Sequence, residues 1–262
     1  MSKPVAGVGL KWRVIRDEPL SGTRNMALDH ALAMSPRPGE GVLRLYSWQS
    51  PTVSFGRNEP AKDVYDTVAA ARCGVEFVRR PTGGRAVLHD MEATYAVVVP
   101  DRMFGGPKGV YLKVNQGLAH GLGQLGAAVS VSEGGLALPP DSGPCFQVPA
   151  PGEVMAAGRK LVGSAQVRLG SAILQHGSII IHGDQSLLST LGNGAEDAPP
   201  PATLFSLIGE VDGEDVADAL TEGLQLALGG TWDEGEYRSG ELAEADWLEG
   251  ERYNNQDWTW RV

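Results

Sequence analysis

Two cysteines, Cys73 and Cys145, are all the thiol chemistry that 262 residues offer. Two thiols make no disulfide framework, so the chain is expected in a reducing setting, where a lone Cys is either inert core or reactive. Long apolar runs are missing as well: nothing approaches the ~20 residues that span a bilayer, and residues 1–10 lack the charged-then-apolar pattern of a signal peptide. The expectation is a cytoplasmic protein that does not engage a membrane. No G-x-x-x-x-G-K-[ST] is present, Gly7 and Gly9 do not complete G-x-G-x-x-G, Ser164 stands in Val-Gly-Ser-Ala-Gln rather than G-x-S-x-G, and H-E-x-x-H is absent. His176 and His182 have no further ligand nearby in sequence, so no metal is expected. Basic residues nearly vanish from the end of the chain. Residues 181–262 hold 3 Lys+Arg against 18 Asp+Glu, whereas residues 1–180 hold 19 against 14. The net charge of −10 therefore divides into +5 and −15. Such a chain is a poor binder of nucleic acid. Its first part suits an acidic partner, and its acidic end reads most simply as a solvated face.

What is present is enough for a folded core, with 42% hydrophobic and 21% charged residues. Strands are predicted at 11–15, 42–46, 52–55, 75–79, 93–99 and 129–131, the second and third flanking a turn at Ser50-Pro51. Three antiparallel strands are predicted at 154–157, 161–168 and 173–181. Ser21 caps a predicted helix to Met34. A short helix runs over 64–72, with Cys73 plugging its end. Apolar residues at 110, 114, 118, 122 and 125 predict a helix over 110–125, and 216–228 is amphipathic. Residues 134–151 form a Gly/Pro-rich loop, and the last stretch of the Trp-rich tail is read as a strand. The organisation expected is one domain over 1–262, with a small acidic C-terminal subregion from about 202.

Three constellations carry chemistry. In Arg79-Arg80-Pro81-Thr82-Gly83-Gly84-Arg85, paired glycines after a strand let backbone approach a ligand, and arginines suit a carboxylate or phosphate. A plain surface hairpin is the alternative. In Gly158-Arg159-Lys160-Leu161-Val162-Gly163-Ser164-Ala165-Gln166, Lys160 can polarise a carbonyl from the lip of a pocket or simply guard an edge strand. Cys145 lies in the long loop, where function concentrates. A free thiol of pKa ~8.5 is about 3% thiolate at pH 7. Bringing it to about 7 takes about 2 kcal/mol of differential stabilisation, within reach of one nearby Lys or helix N-terminus. A buried inert Cys is the alternative.

Together these segments resemble a known family. Arg80-Pro-Thr-Gly-Gly-Arg-Ala-Val-Leu-His-Asp90, followed by Glu92 and Thr94-Tyr95, is similar to the signature loop of the lipoate–protein ligase and octanoyltransferase superfamily. Gly158–Gln166 followed by Leu174-Gln-His-Gly-Ser-Ile179 resembles its second signature, and Arg24-Asn-Met-Ala-Leu-Asp29 its opening helix. The Thr-Gly-Gly-Arg-Ala-Val-Leu-His-Asp version and the Cys145-Phe146 pair are most similar to the cysteine-dependent octanoyltransferases. One departure is Gly152, where an aromatic is expected before Glu153.

The resemblance implies an α/β fold of the α+β type, with mixed, largely antiparallel sheets flanked by helices, as in lipoate ligase and biotin ligase catalytic domains. It implies transfer of octanoate from octanoyl-acyl carrier protein through a Cys145 thioester to a lysine of a lipoyl-carrier protein, either the glycine cleavage H protein or a lipoyl domain. It places Lys160 at the thioester carbonyl and calls for no cofactor. Substrate contacts are expected from Arg80, Thr82, Gly83, Gly84, Arg85, His89, Gly163, Ser164, Ala165 and His176, the last also reading as a structural histidine. Val162 and Leu88 are expected to line the acyl slot, and Arg79, Arg80, Arg159 and Arg168 to dock acidic carriers. The rivals are an ATP-dependent lipoate–protein ligase and a non-catalytic binder of acyl carriers or lipoyl domains.

Overall fold

The computed structural model describes residues 9–132, 152–192 and 200–262; Cys145 lies outside them. The elements in chain order are β1 (Lys11–Arg16), α1 (Gly22–Met34), β2 (Glu40–Tyr46), β3 (Thr52–Phe55), α2 (Thr67–Arg72), β4 (Glu76–Arg79), β5 (Val87–His89), β6 (Glu92–Pro100), α3 (Pro107–Gln124) and β7 (Val129–Val131). They continue with β8 (Val154–Ala156), β9 (Arg159–Lys160), β10 (Val162–Leu169), β11 (Ala172–Ile180), α4 (Ser186–Leu191), α5 (Leu204–Ile208), α6 (Gly213–Leu228), β12 (Thr231–Glu234), α7 (Ser239–Leu248) and α8 (Gln256–Thr259).

A six-stranded sheet in the order β10-β11-β6-β2-β1-β12 forms the frame. Period-two alternation sorts its side chains into two cores. Leu43, Leu45, Val97 and Val99 pack with Val114 and Leu118 of α3 and Leu220 and Leu224 of α6. Val42, Tyr46, Ala96 and Val98 face Met26, Leu28 and Leu32 of α1 and Leu248 of α7. With both faces covered, the central strands read as continuous apolar runs such as Ala96–Val99, not as alternation. A second sheet, β4-β3-β5, has its own core around Val53, Phe55 and Leu88. A third, β7-β8-β9, is small. Among the described residues, six of the nine strand pairings are antiparallel, which is the mixed, largely antiparallel arrangement expected.

Local signals explain several boundaries. Ser21 Oγ accepts from Arg24 N at 3.2 Å and starts α1, and Asp66 caps α2. Three expectations need correction. β2 and β3 belong to different sheets, so Ser50-Pro51 is a crossing between them. The three strands expected over 154–181 are split: β8 turns back onto β9, while β10 and β11 join the main sheet. The chain end folds as α8; the strand lies earlier, at β12, parallel to β1, with Trp12 and Trp232 stacked 4.4 Å apart. Cys73 does close α2 as its C-cap, its N–H reaching the Ala69 and Ala70 carbonyls, while its side chain stays exposed.

Candidate active site

β3, β5 and the adjoining edge of the main sheet line a cleft that opens in part to solvent. Met26, Tyr46, Trp48 and Val87 supply apolar wall, while Ser54, Arg80, Gly84, His89, Thr94, Gly163, Ser164, Ala165, His176, Gly177 and Ser178 complete the lining. Seven of the expected substrate residues therefore meet here from two stretches some eighty residues apart. β5 explains a correction: Val87 and His89 face the cleft, and alternation turns Leu88 into the core of the second sheet, around Val53 and Phe55. Val162 is likewise buried in the main core rather than in the cleft.

Thr82, Gly83 and Arg85 shape the loop over this cleft. The Arg80 side chain, 5% exposed, donates to the carbonyls of Ser54, Gly83 and Arg85 at 2.7–2.9 Å. Its cation thus sits beneath the loop and cross-braces it. Gly84 has φ of +93°, and a Cβ there would stand 2.9 Å from Arg80 Nη2, so only glycine fits without strain. Glu59 holds the loop from behind, accepting from Gly56 N and Ala86 N at 2.9 and 2.7 Å. Burial raises its pKa despite the nearby Arg80. Arg79 is fully buried and donates to the carbonyls of Gly56, Glu59 and Thr259. Neither Arg79 nor Arg80 therefore presents its charge to a docking partner.

Two carboxylate–histidine–hydroxyl chains converge on the loop. In one, Asp29 Oδ2 lies 2.8 Å from His176 Nδ1, and His176 Nε2 lies 2.7 Å from Thr82 Oγ1. Burial pushes the Asp29 carboxyl up, but the hydrogen bond from His176 and the charge of Arg44 outweigh it and leave its pKa below the ordinary value. Burial, partly offset by Asp29, lowers His176. A neutral imidazole beside an ionised carboxylate carries its proton on Nδ1, so Nε2 accepts from the Thr82 hydroxyl. In the other chain, His89 Nδ1 lies 2.6 Å from Glu92 Oε1 and Nε2 lies 2.7 Å from Ser54 Oγ. Thr94 and Ser178 also donate to Glu92, and Trp48 stacks on the His89 ring at 4.0 Å. Each histidine is therefore fixed at both nitrogens.

Lys160 ends β9, three residues before Gly163 on the cleft wall. It is 2% exposed, and its Nζ donates to Glu153 Oε1 at 2.6 Å. Glu153 is itself buried. Gly152, with φ of +85°, has the Tyr111 ring 3.2 Å from where a Cβ would stand, so a ring from α3 lies where the expected aromatic is lacking. Ser164 is anchored between Tyr95 Oη at 2.8 Å and Asn115 Oδ1 at 3.2 Å, and Asn115 reaches back to the Gly152 carbonyl.

Asp29, Glu92 and Thr94 stand within the motifs, where the sequence alone gives them no role; an acid inside a motif is the signal it offers. Trp48, Ser54 and Tyr46 carry no local signal, because only the sheet pairing brings them to the cleft. Among the described residues, no helix is long and apolar enough to cross a membrane, and no group of acids, histidines and cysteines is arranged to hold a metal ion.

The family described as lipoyl protein ligase A/B catalytic domain matches residues 21–224. Octanoyltransferase LipM of Kyrpidia tusciae is 38% identical to this chain over 95% of it and 98% of its own length. The protein of the same name from Symbiobacterium thermophilum is 35% identical with the same coverage. Among solved structures, lipoate-protein ligase A bound with ATP has a TM-score of 0.82 at 23% identity, over 96% of this chain and 99% of that one. A putative lipoate protein ligase from T. acidophilum with bound lipoic acid scores 0.80 at 24% identity, over 97% and 100%. These two likenesses establish the shared fold.

Proposed function

This chain belongs to the lipoyl protein ligase A/B catalytic-domain family, and on that footing we propose that it moves octanoate from octanoyl-acyl carrier protein, through a Cys145 thioester, to a lysine of a lipoyl-carrier protein. The coarser activity is octanoyl transfer, the activity for which the relatives that span nearly the whole chain are named, and in this reading it serves lipoate biosynthesis. One observation supports the finer reading most: stretches 80–89 and 163–176 meet around a single cleft with an apolar wall. Burying about seven methylene-like groups of an octanoyl chain there is worth at most about 5–6 kcal/mol.

In this reading the Cys145 thiolate attacks the donor thioester carbonyl. The carrier thiolate leaves and takes up a proton. The exchange is close to isoenergetic and needs no ATP. The amine of the acceptor lysine then attacks the enzyme thioester, the C–S bond breaks, and the amide released is the more stable product. The Lys160 ammonium stabilises the oxyanion in both steps. Arg80, Thr82, Gly83, Gly84 and Arg85 hold the loop that closes the slot, while His89, Gly163, Ser164, Ala165 and His176 line it. The acceptor is the H protein of glycine cleavage or a lipoyl domain.

Intact mass after incubation with octanoyl-acyl carrier protein tests this. Wild type is expected to gain one octanoyl group, and Cys145→Ala none. An adduct on Cys73 overturns the choice of nucleophile. Lipoate-dependent exchange of pyrophosphate into ATP, with full activity in Cys145→Ala, establishes the ATP-dependent ligase instead.

A further inference from the structure

We propose that Glu153 is a positioning residue that keeps the Lys160 amine protonated, and so prevents Lys160 from taking the acyl group for itself. The inference rests on the reading above, in which Lys160 stands beside an octanoyl thioester. The observations are the 2.6 Å contact between Lys160 Nζ and Glu153 Oε1 and the burial of both side chains, 2% and 5% exposed. The β8–β9 hairpin holds the two residues together. Met155 pairs with Lys160, and Leu161 N donates to the Val154 carbonyl at 3.1 Å.

The chemistry makes this pairing consequential. The second half of the reaction is attack by an amine on a thioester. The acceptor lysine is a visitor, whereas Lys160 is resident beside the same carbonyl. An ammonium buried without a counter-charge sheds its proton readily, and the neutral amine is a nucleophile. Were Lys160 neutral, its Nζ would bond to the acyl carbon and the C–S bond would break. The sulfur would leave as thiolate and take the proton released by nitrogen. The product is an octanoyl amide on Lys160, which a thiol does not reopen, and the enzyme is dead after one such event. A carboxylate at hydrogen-bond distance holds the proton on nitrogen, so the group stabilises an oxyanion without attacking it.

The test uses the full chain, octanoyl-acyl carrier protein and hydroxylamine, which cleaves thioesters and spares amides. Wild type is expected to carry an adduct that hydroxylamine removes. Glu153→Gln is expected to accumulate a resistant adduct as its main species, mapped to the peptide holding Lys160, and to lose transfer activity progressively with exposure to donor. Glu153→Gln/Lys160→Arg is expected to lose the resistant adduct. If Glu153→Gln melts early, Glu153→Asp, whose carboxylate is drawn back by one methylene, takes its place with the same readout. A folded Glu153 variant that carries only the removable adduct, or none, overturns the role given to Glu153. A wild type that gains no removable adduct overturns the parent reading instead, and that outcome is seen without any variant.

Discussion

Thr82 is sealed from solvent, yet its hydroxyl has one partner that matters, the Nε2 of His176 at 2.7 Å. Thr82→Val keeps the shape and removes the donor, leaving a buried acceptor unpaired at a cost of about 1–3 kcal/mol. The expected outcome is a lower melting temperature and slower octanoyl transfer, with Thr82→Ser restoring most of both. A Val variant that melts like wild type removes the chain Asp29–His176–Thr82 from the account. At this scale the sequence was a partial guide. The Gly83-Gly84 pair and His89 were legible because special backbone and a titratable group stand out in a short motif. The faces on which Leu88 and Val162 lie were not: β5, at three residues, gives too few alternations to fix its phase, and Val162 opens β10 just after the break at Leu161. The structural duty of Arg79 and Arg80 was also hidden. An arginine in sequence looks like a free cation until the carbonyls folded around it are known.

Elements carry a second consequence. His30 of α1 joins Tyr253, beyond α7, through a 2.9 Å hydrogen bond that ties the opening helix to the chain end. Burial first, and the nearby Arg252 and Arg57 next, lower the His30 pKa to about 4. The unfolded chain takes a proton near the ordinary ~6.5, and the folded one refuses it. Stability is therefore lost as pH falls from about 6.5 toward 4, on the order of 2 kcal/mol by pH ~5. His176, lowered in the same direction, adds to the loss. Urea midpoints at neutral pH and at pH ~5 should separate more for wild type than for His30→Gln. Equal separations exclude His30 as a source. Long elements such as α3, α6, β10 and β11 were readable from apolar spacing. β5, α4 and α5 are too short to show a period, and β12 was misplaced because its pairing with β1 is decided more than two hundred residues away.

Across the whole molecule the charge asymmetry has a structural resolution. The acidic end is not a detached tail. β12 extends the main sheet, and Arg13 of β1 binds Glu241 of α7 at 2.6 Å and Glu40 of β2 at 3.2 Å. Exposed basic residues remain near the β10 edge, where Arg102 and Lys108 flank the start of α3 and Arg168 pairs with Asp101 while staying 64% exposed. Gln166 of β10 binds the Pro107 carbonyl at 3.2 Å, which joins that helix end to the strand carrying Ser164 and Ala165. If this face receives an acidic carrier, salt weakens the encounter. Transfer from octanoyl-acyl carrier protein should slow as ionic strength rises, while a small octanoyl thioester used as donor should be indifferent. The Lys108→Glu/Arg168→Glu variant should lower kcat/KM for the carrier-bound donor and leave the small donor unchanged. Equal salt response for both donors removes electrostatic docking from the account.

The thioester reading turns on whether an acyl group stored on the enzyme is competent to move on. Octanoyl-enzyme can be formed from octanoyl-acyl carrier protein, stripped of donor, and mixed with lipoyl-carrier protein in the absence of ATP. The expected record is the loss of one octanoyl group from the Cys145 peptide, matched by its appearance as an amide on the carrier lysine. An octanoyl-enzyme that stays loaded beside its acceptor, while fresh donor still supports transfer, would mean that the acyl group never travels through Cys145.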